Sequence, residues 1–239
     1  MKTWITRRQY PAPKVLFLMF VVVIGIWGLI ELSDEVIEGD TATFDEWVIT
    51  SLRRPQDLAT PIGPAWLQEA ARDLTALGGY TVLGVLIAIV TGFLWLSRHR
   101  KVAIYVLLAA VLGVLISQGL KRTIGRPRPD IVPHLTDVTT AAFPSGHSMM
   151  AAVVYLTLGA LIVPLVERRL QVYVLTVAII LTLLIGTTRI YLGVHYPTDV
   201  LAGWTAGSVW AIVCSLVFRW LQRRGAVQTQ PEPETKSPG

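Results

Sequence analysis

Two histidines, an aspartate and a group of cations stand in this sequence at spacings that suit phosphoryl chemistry. Lys121, Arg122, Arg126 and Arg128 come first, followed by Phe143, Pro144, Ser145, Gly146 and His147; farther on stand Arg189, His195 and Asp199. Arginine offers a planar fork that bonds two oxygens at once, and lysine adds a point charge. Fixed cations of both kinds suit a phosphoryl group. Ser145 is of a type that caps a helix start, and Gly146 lets backbone amides approach an oxyanion. A helix N-terminus is itself an anion site. The segment can bring side-chain, backbone and dipole stabilisation to one phosphate, whose oxygens carry the charge that phosphoryl transfer must stabilise.

The two histidines can divide the work. One attacks phosphorus as the neutral base, and the other donates a proton to the leaving alkoxide; surroundings that push their pKa values apart make such a pair. Asp199, four residues after His195, can accept the other ring proton and fix the tautomer, as the aspartate of a Ser-His-Asp triad does. His195 is therefore the nucleophile candidate and His147 the acid. Each residue has a plainer reading. Asp199 follows Pro197 at a helix start, where carboxylates cap, and Arg189 ends an apolar run, where arginine snorkels to the interface. Their grouping favours chemistry. Arg122 and Arg126 read as surface charges or headgroup contacts, His134 as a loop residue, and His99 as part of a remote basic turn.

The elements that must position these groups are apolar. Of 239 residues, 53% are hydrophobic and 15% charged, where a soluble domain carries about a quarter charged. Six runs approach the roughly 20 residues needed to cross a bilayer: Val15–Leu32, Tyr80–Leu96, Val102–Leu120, Met149–Val166, Leu170–Thr187 and Val200–Leu221. They are continuous rather than alternating, so they read as helices and not as barrel strands. The expected fold is an all-α, six-transmembrane-helix bundle. The first run follows a basic leader, but Glu31, Asp34 and Glu35 replace a small-residue cleavage site, so it is expected to remain as an anchor.

With both termini in the cytoplasm, the clusters at Arg98, Arg100 and Lys101, at Arg168 and Arg169, and at Arg223 and Arg224 fall inside, as positive charge should. Both histidine segments then face outward. The cations from Lys121 to Arg128 run against that rule, which points to another task for them. The external stretch Ser33–Gly79 is expected to hold two interfacial helices, Phe44–Leu52 and Pro64–Leu77, carrying Trp47 and Trp66. Residues 1–227 read as one membrane-embedded domain, and the Pro-rich residues 228–239 as a disordered tail. The net charge of +5 lies in these clusters and gives no nucleic-acid signal, and the single cysteine, Cys214, excludes an intrachain disulfide.

The order Lys121-x6-Arg128-Pro129, Pro144-Ser145-Gly146-His147, Arg189-x5-His195-x3-Asp199 resembles the three motifs of the type 2 phosphatidic acid phosphatase superfamily, the lipid phosphate phosphatases. The likeness extends from the second or third span to the sixth. Thr188 stands where the family usually has serine, and keeps the hydroxyl. The resemblance implies a six-span enzyme with no metal or other cofactor. It implies a phosphohistidine on His195, oriented by Asp199, with His147 protonating the leaving oxygen. Lys121, Arg128, Arg189, Ser145 and Gly146 would hold the phosphate. The implied partner is a membrane lipid with a phosphate head group: for a bacterial chain, undecaprenyl pyrophosphate, phosphatidylglycerophosphate or phosphatidic acid. Segments 33–79 and 130–143 carry no motif and are expected to set head-group selectivity.

Two other readings fit the residues less well. A metal hydrolase built on His134, His147, His195 and Asp199 lacks an HExxH-type pair and would set its metal among cations. A non-catalytic lipid-binding or transport protein of the same fold would carry charges or broken helices within its spans, and the runs show few.

Overall fold

The computed structural model describes residues 13–136, 138 and 140–224. In chain order these form α1 (Pro13–Glu38), α2 (Ala42–Ser51), a hairpin of β1 (Arg53–Arg54) and β2 (Asp57–Pro61), α3 (Ala65–Ala76), α4 (Tyr80–Leu96), α5 (Arg100–Ile124), α6 (Gly146–Ala151), α7 (Thr157–Ile162), α8 (Arg168–Tyr191) and α9 (Pro197–Arg223). A π turn at Ala152–Leu156 joins α6 to α7, and a 3-10 turn at Val163–Leu165 ends the composite span Gly146–Leu165. Among the described residues, α1, α5, that composite span, α8 and α9 are each long and apolar enough to cross a bilayer. The sixth, α4, has 17 residues and meets α3 at a 45° bend. All six expected runs are therefore helices.

Three differences from the sequence reading have local causes. The first span continues past Leu32 to Glu38, because its acidic end projects beyond the apolar run. The fourth begins at Gly146 rather than Met149, since Ser145 caps it by accepting from the Ser148 amide. The stretch 33–79 also holds the small antiparallel hairpin, whose Asp57 accepts from the Ala59 amide and the Thr60 hydroxyl to close the turn. Helices are present at both expected places in this stretch, as α2 and α3. The expected tail at 228–239 lies outside the described residues.

Packing centres on α6 and its π turn, where Met149, Ala151, Ala152 and Val153 are buried. Apolar helices in lipid gain from close backbone approach, so small residues mark their interfaces. Gly207 and Gly203 of α9 admit α6: a Cβ at Gly207 would lie 2.4 Å from Met149 O, and one at Gly203 2.7 Å from Ser145 O. By contrast, α1 touches mainly α9, with Gly25 set against Val209, and its apolar window is otherwise open to lipid. At the far end of the bundle Arg100 stacks over Trp95 at 5.3 Å and Arg224 over Trp220 at 4.2 Å, a pairing suited to an interface belt.

Candidate active site

Most of the candidate side chains sit in the first or last turn of a helix, with Arg128 and His195 in the segments that join helices, and the sequence explains several of these endings. Gly125 adopts the left-handed conformation (φ 63°) and closes α5 with its N–H on Lys121 O, a stop that glycine favours. This leaves Lys121 in the last turn of α5, where a cation complements the helix dipole. The Lys121 ammonium donates to Ala141 O. Gly193 turns the chain after α8 with φ +73°, and a Cβ there would lie 2.6 Å from Arg53 Nη2. The starts of α6 and α9 are stitched together, since Ser145 N–H donates to Asp199 O at 2.9 Å. The Pro-Ser-Gly-His segment and the His195–Asp199 segment are thereby one structural unit.

His195 lies between two partners. Its Nδ1 faces Asp199 Oδ2 at 3.4 Å, and its Nε2 faces Arg128 Nη1 at 3.2 Å. Donation from Nδ1–H to the carboxylate, with Arg128 donating to Nε2, defines the neutral tautomer whose lone pair is on Nε2. Burial, then the charges of Arg128, Arg189 and Lys121, hold the imidazole well below its ordinary pKa, so it is neutral at neutral pH. Arg128 is further fixed by donation to Val194 O and Thr140 O, both at 2.7 Å.

The other predicted residues converge on the same place. A Cβ on Gly146 would lie 3.5 Å from Lys121 Cε and 2.9 Å from the Tyr80 hydroxyl. His147 packs beside the turn between α3 and α4, its Nε2 3.8 Å from where a Cβ of Gly79 would be. Arg189 is buried at the end of α8 and donates Nη1 to Thr75 Oγ1 at 3.1 Å, while its Nε meets no protein acceptor. Thr188 spends its hydroxyl on Ile185 O within α8. His134 stays in its loop, its ring on Pro129 O at 2.6 Å. Among the described residues no three His, Cys, Asp or Glu side chains are placed to hold a metal.

Arg126 overturns its reading as a surface charge. Its side chain is 11% exposed and donates Nη1 to Asp199 Oδ1 and Nη2 to Asp45 Oδ2, each at 2.7 Å. Composition gave no hint of this, because a basic residue beside other basic residues looks solvated. Asp45, Arg53 and Thr75 were missed as well. Asp45 had a readable sign: it lies one helical turn before Ile49 on α2, and both are fully buried. A carboxylate on the apolar stripe of an amphipathic helix needs a partner.

Comparison with known proteins identifies the family and the fold. The model of the PAP2 superfamily matches residues 101–223. Phosphatidylglycerophosphatase B of Bacillus subtilis (strain 168) is 36% identical over 153 residues, covering 62% of this chain and 74% of that protein. Undecaprenyl-diphosphatase of Sulfolobus acidocaldarius is 28% identical over 117 residues, covering 47% of this chain and 53% of that protein. The crystal structure of a transmembrane PAP2 type phosphatidylglycerolphosphate phosphatase from Bacillus subtilis superposes with a TM-score of 0.75 at 28% identity, covering 85% of this chain and 98% of that one. With the family model spanning half its length and its helices following a solved member, this integral membrane chain belongs to the PAP2 superfamily.

Proposed function

We propose that this lipid phosphatase cleaves a phosphomonoester or diphosphate from its lipid through a phosphohistidine on His195. The observation that carries the reading is the orientation of His195: Nδ1 on Asp199 and Nε2 beside the Arg128 guanidinium. A phosphate held by Arg128 meets a lone pair already aimed at it, and such positioning lowers a phosphoryl-transfer barrier. Lys121, Arg189, Ser145 and the Gly146 amide complete the grip. Nε2 attacks phosphorus as the P–O bond to the leaving group breaks, and His147 gives that oxygen its proton. Water then attacks phosphorus as the P–N bond breaks, His147 takes the water's proton, and phosphate and free His195 result. Asp199 supports the positive charge that the imidazole carries while bonded to phosphorus.

The lipid tail has a place to lie. An apolar groove of about 320 Å³ runs between α4 and α5 from Tyr80 past Leu83, Ile87 and Val111. Its upper end is the Tyr80 hydroxyl beside Gly146, so a substrate can reach the cations sideways from the bilayer. The distribution of basic residues supports an outward-facing site with both termini in the cytoplasm. The relatives above are named for phosphatidylglycerophosphate and undecaprenyl diphosphate, and either head group offers the phosphate that these cations would hold. An outward-facing site favours the carrier diphosphate, which must be recycled at that face.

The test is phosphate release by purified protein from phospholipid phosphates and isoprenyl diphosphates, with water-soluble phosphate esters alongside. Preference for lipid substrates, an acid-labile phosphoenzyme and activity unchanged by strong chelators are expected. Equal turnover of soluble esters contradicts the lipid reading, and a phosphoenzyme stable to acid contradicts the histidine.

A further inference from the structure

Asp45 belongs to α2, well outside the segments that face the phosphate, yet its side chain is wholly buried. Its Oδ2 accepts from Arg126 Nη2 at 2.7 Å and from the Thr198 hydroxyl, and its Oδ1 accepts from the Thr198 amide at 3.1 Å. The second arm of the Arg126 fork reaches Asp199 Oδ1 at 2.7 Å and Thr198 Oγ1 at 2.8 Å. The guanidinium also lies over the Tyr196 ring at 4.4 Å. Asp199 divides its oxygens: Oδ1 takes Arg126, while Oδ2 takes the Tyr196 amide at 2.9 Å and faces His195 Nδ1. An unbroken chain of charge-assisted contacts thus runs from Asp45 through Arg126 and Asp199 to His195.

We propose that Asp45 and Arg126 are positioning residues for phosphoryl transfer: they fix the Asp199 carboxylate at the angle that holds His195 Nδ1–H and leaves Nε2 pointing at phosphorus. This rests on the phosphohistidine reading above. The physics lies in the fork. A planar guanidinium between two carboxylates has both arms committed. Remove the Asp45 charge, and Arg126 is free to close both arms on Asp199. That draws Oδ2 off the ring and neutralises the acceptor that must support the imidazole. Remove Arg126, and Asp199 keeps no partner on Oδ1 inside a buried site, while Asp45 and Asp199 face each other as like charges. Thr198 alone could tether α2 to the start of α9. Two buried carboxylates sharing one arginine are more than a tether needs.

The experiment uses the full chain in detergent, with the lipid phosphate that the wild type turns over best. Asp45→Asn and Arg126→Gln are each expected to lower kcat about 10- to 100-fold, the cost of misplacing a reacting group by about an ångström. KM should stay within about threefold, since neither residue touches the phosphate, and the quenched phosphoenzyme should form more slowly. Asp45→Glu, which keeps the charge, should recover most of the loss. The double variant should be no worse than the poorer single, as expected of residues acting through one contact. Wild-type kcat in either folded single variant, a rise in KM alone, or additive losses in the double would overturn the proposal. If Asp45→Asn is not monodisperse, Arg126→Lys carries the test. Lysine keeps the charge without bridging two carboxylates, so a lower kcat at unchanged KM supports the role and wild-type kcat refutes it. A wild type that turns over lipid without a trapped phosphohistidine sinks the parent reading. Unaffected variants beside a trapped phosphoenzyme sink this one alone.

Discussion

Two regions build the site by different means. Residues 121–147 and 188–199 supply the groups proposed to face the phosphate. Residues 33–79 supply none of them, yet they brace three of them and the end of α8. Asp45 fixes Arg126 and through it Asp199. Arg53 holds the end of α8 by donating to Tyr191 O at 3.0 Å. Thr75 accepts from Arg189. The Gly78–Gly79 turn packs on His147, with a Cβ at Gly78 only 2.4 Å from Ile185 Cγ2. Tyr155, carried by the π turn, donates to Leu77 O at 2.9 Å and locks that turn in place. This region was expected to serve head-group selectivity. Its buried contacts assign it a second task, which is to make the reactive side chains rigid. Reactive groups need preorganised positions, and supporting contacts supply them.

Substitutions can break or sharpen this contrast, and the largest effects belong to the facing residues. His195→Gln should lower kcat by about 10⁴-fold or more and abolish the phosphoenzyme, with KM little changed, as loss of a nucleophile does elsewhere. A residual phosphoenzyme would move the nucleophile to another residue. Next comes packing beneath the site. Gly207→Val drives a side chain into Met149 O and Ala152 Cβ, and should cost about 3 kcal/mol, at the upper end for overpacking. A fall in melting temperature and yield in detergent measures this.

Bracing residues should cost less. Thr75→Val removes one acceptor from buried Arg189, and a lost hydrogen bond to a charged group is worth about 1.5–3 kcal/mol. It should appear chiefly as a rise in KM if, as proposed, Arg189 holds phosphate before and during transfer. A kcat loss with fixed KM would place Arg189 in the transition state only. The pH profile sharpens the electrostatic side. Because the His195 pKa is lowered, the reactive neutral form persists as pH falls through 6.5, the ordinary value. Corrected for substrate ionisation, kcat/KM should stay flat there and decline only in more acidic solution. Arg128→Gln removes the second-largest cause and should shift that decline upward. The smallest effect is expected at the exposed rim: Trp47 on α2 is 66% exposed, and Trp47→Ala should change kcat in detergent less than twofold, in line with surface substitutions within about 0.5 kcal/mol.

The spans and the candidate reactive residues were legible in the sequence for definite reasons. A bilayer demands long unbroken apolar runs, so Val102–Leu120 or Leu170–Thr187 can be only a helix. Phosphate chemistry demands particular groups, so Lys121, Arg128, His147, Arg189, His195 and Asp199 announce themselves by type and spacing. What the sequence could not decide is which polar residues are buried and with whom. Asp45 and Arg126 are separated by 81 positions, and each alone resembles a solvated charge. Their burial follows only once Gly203 and Gly207 let α6 settle against α9 and α2 closes over the start of α9. The tertiary fold pairs them because an unpaired charge in that space is costly, and no local pattern records a cost that arises between segments so far apart.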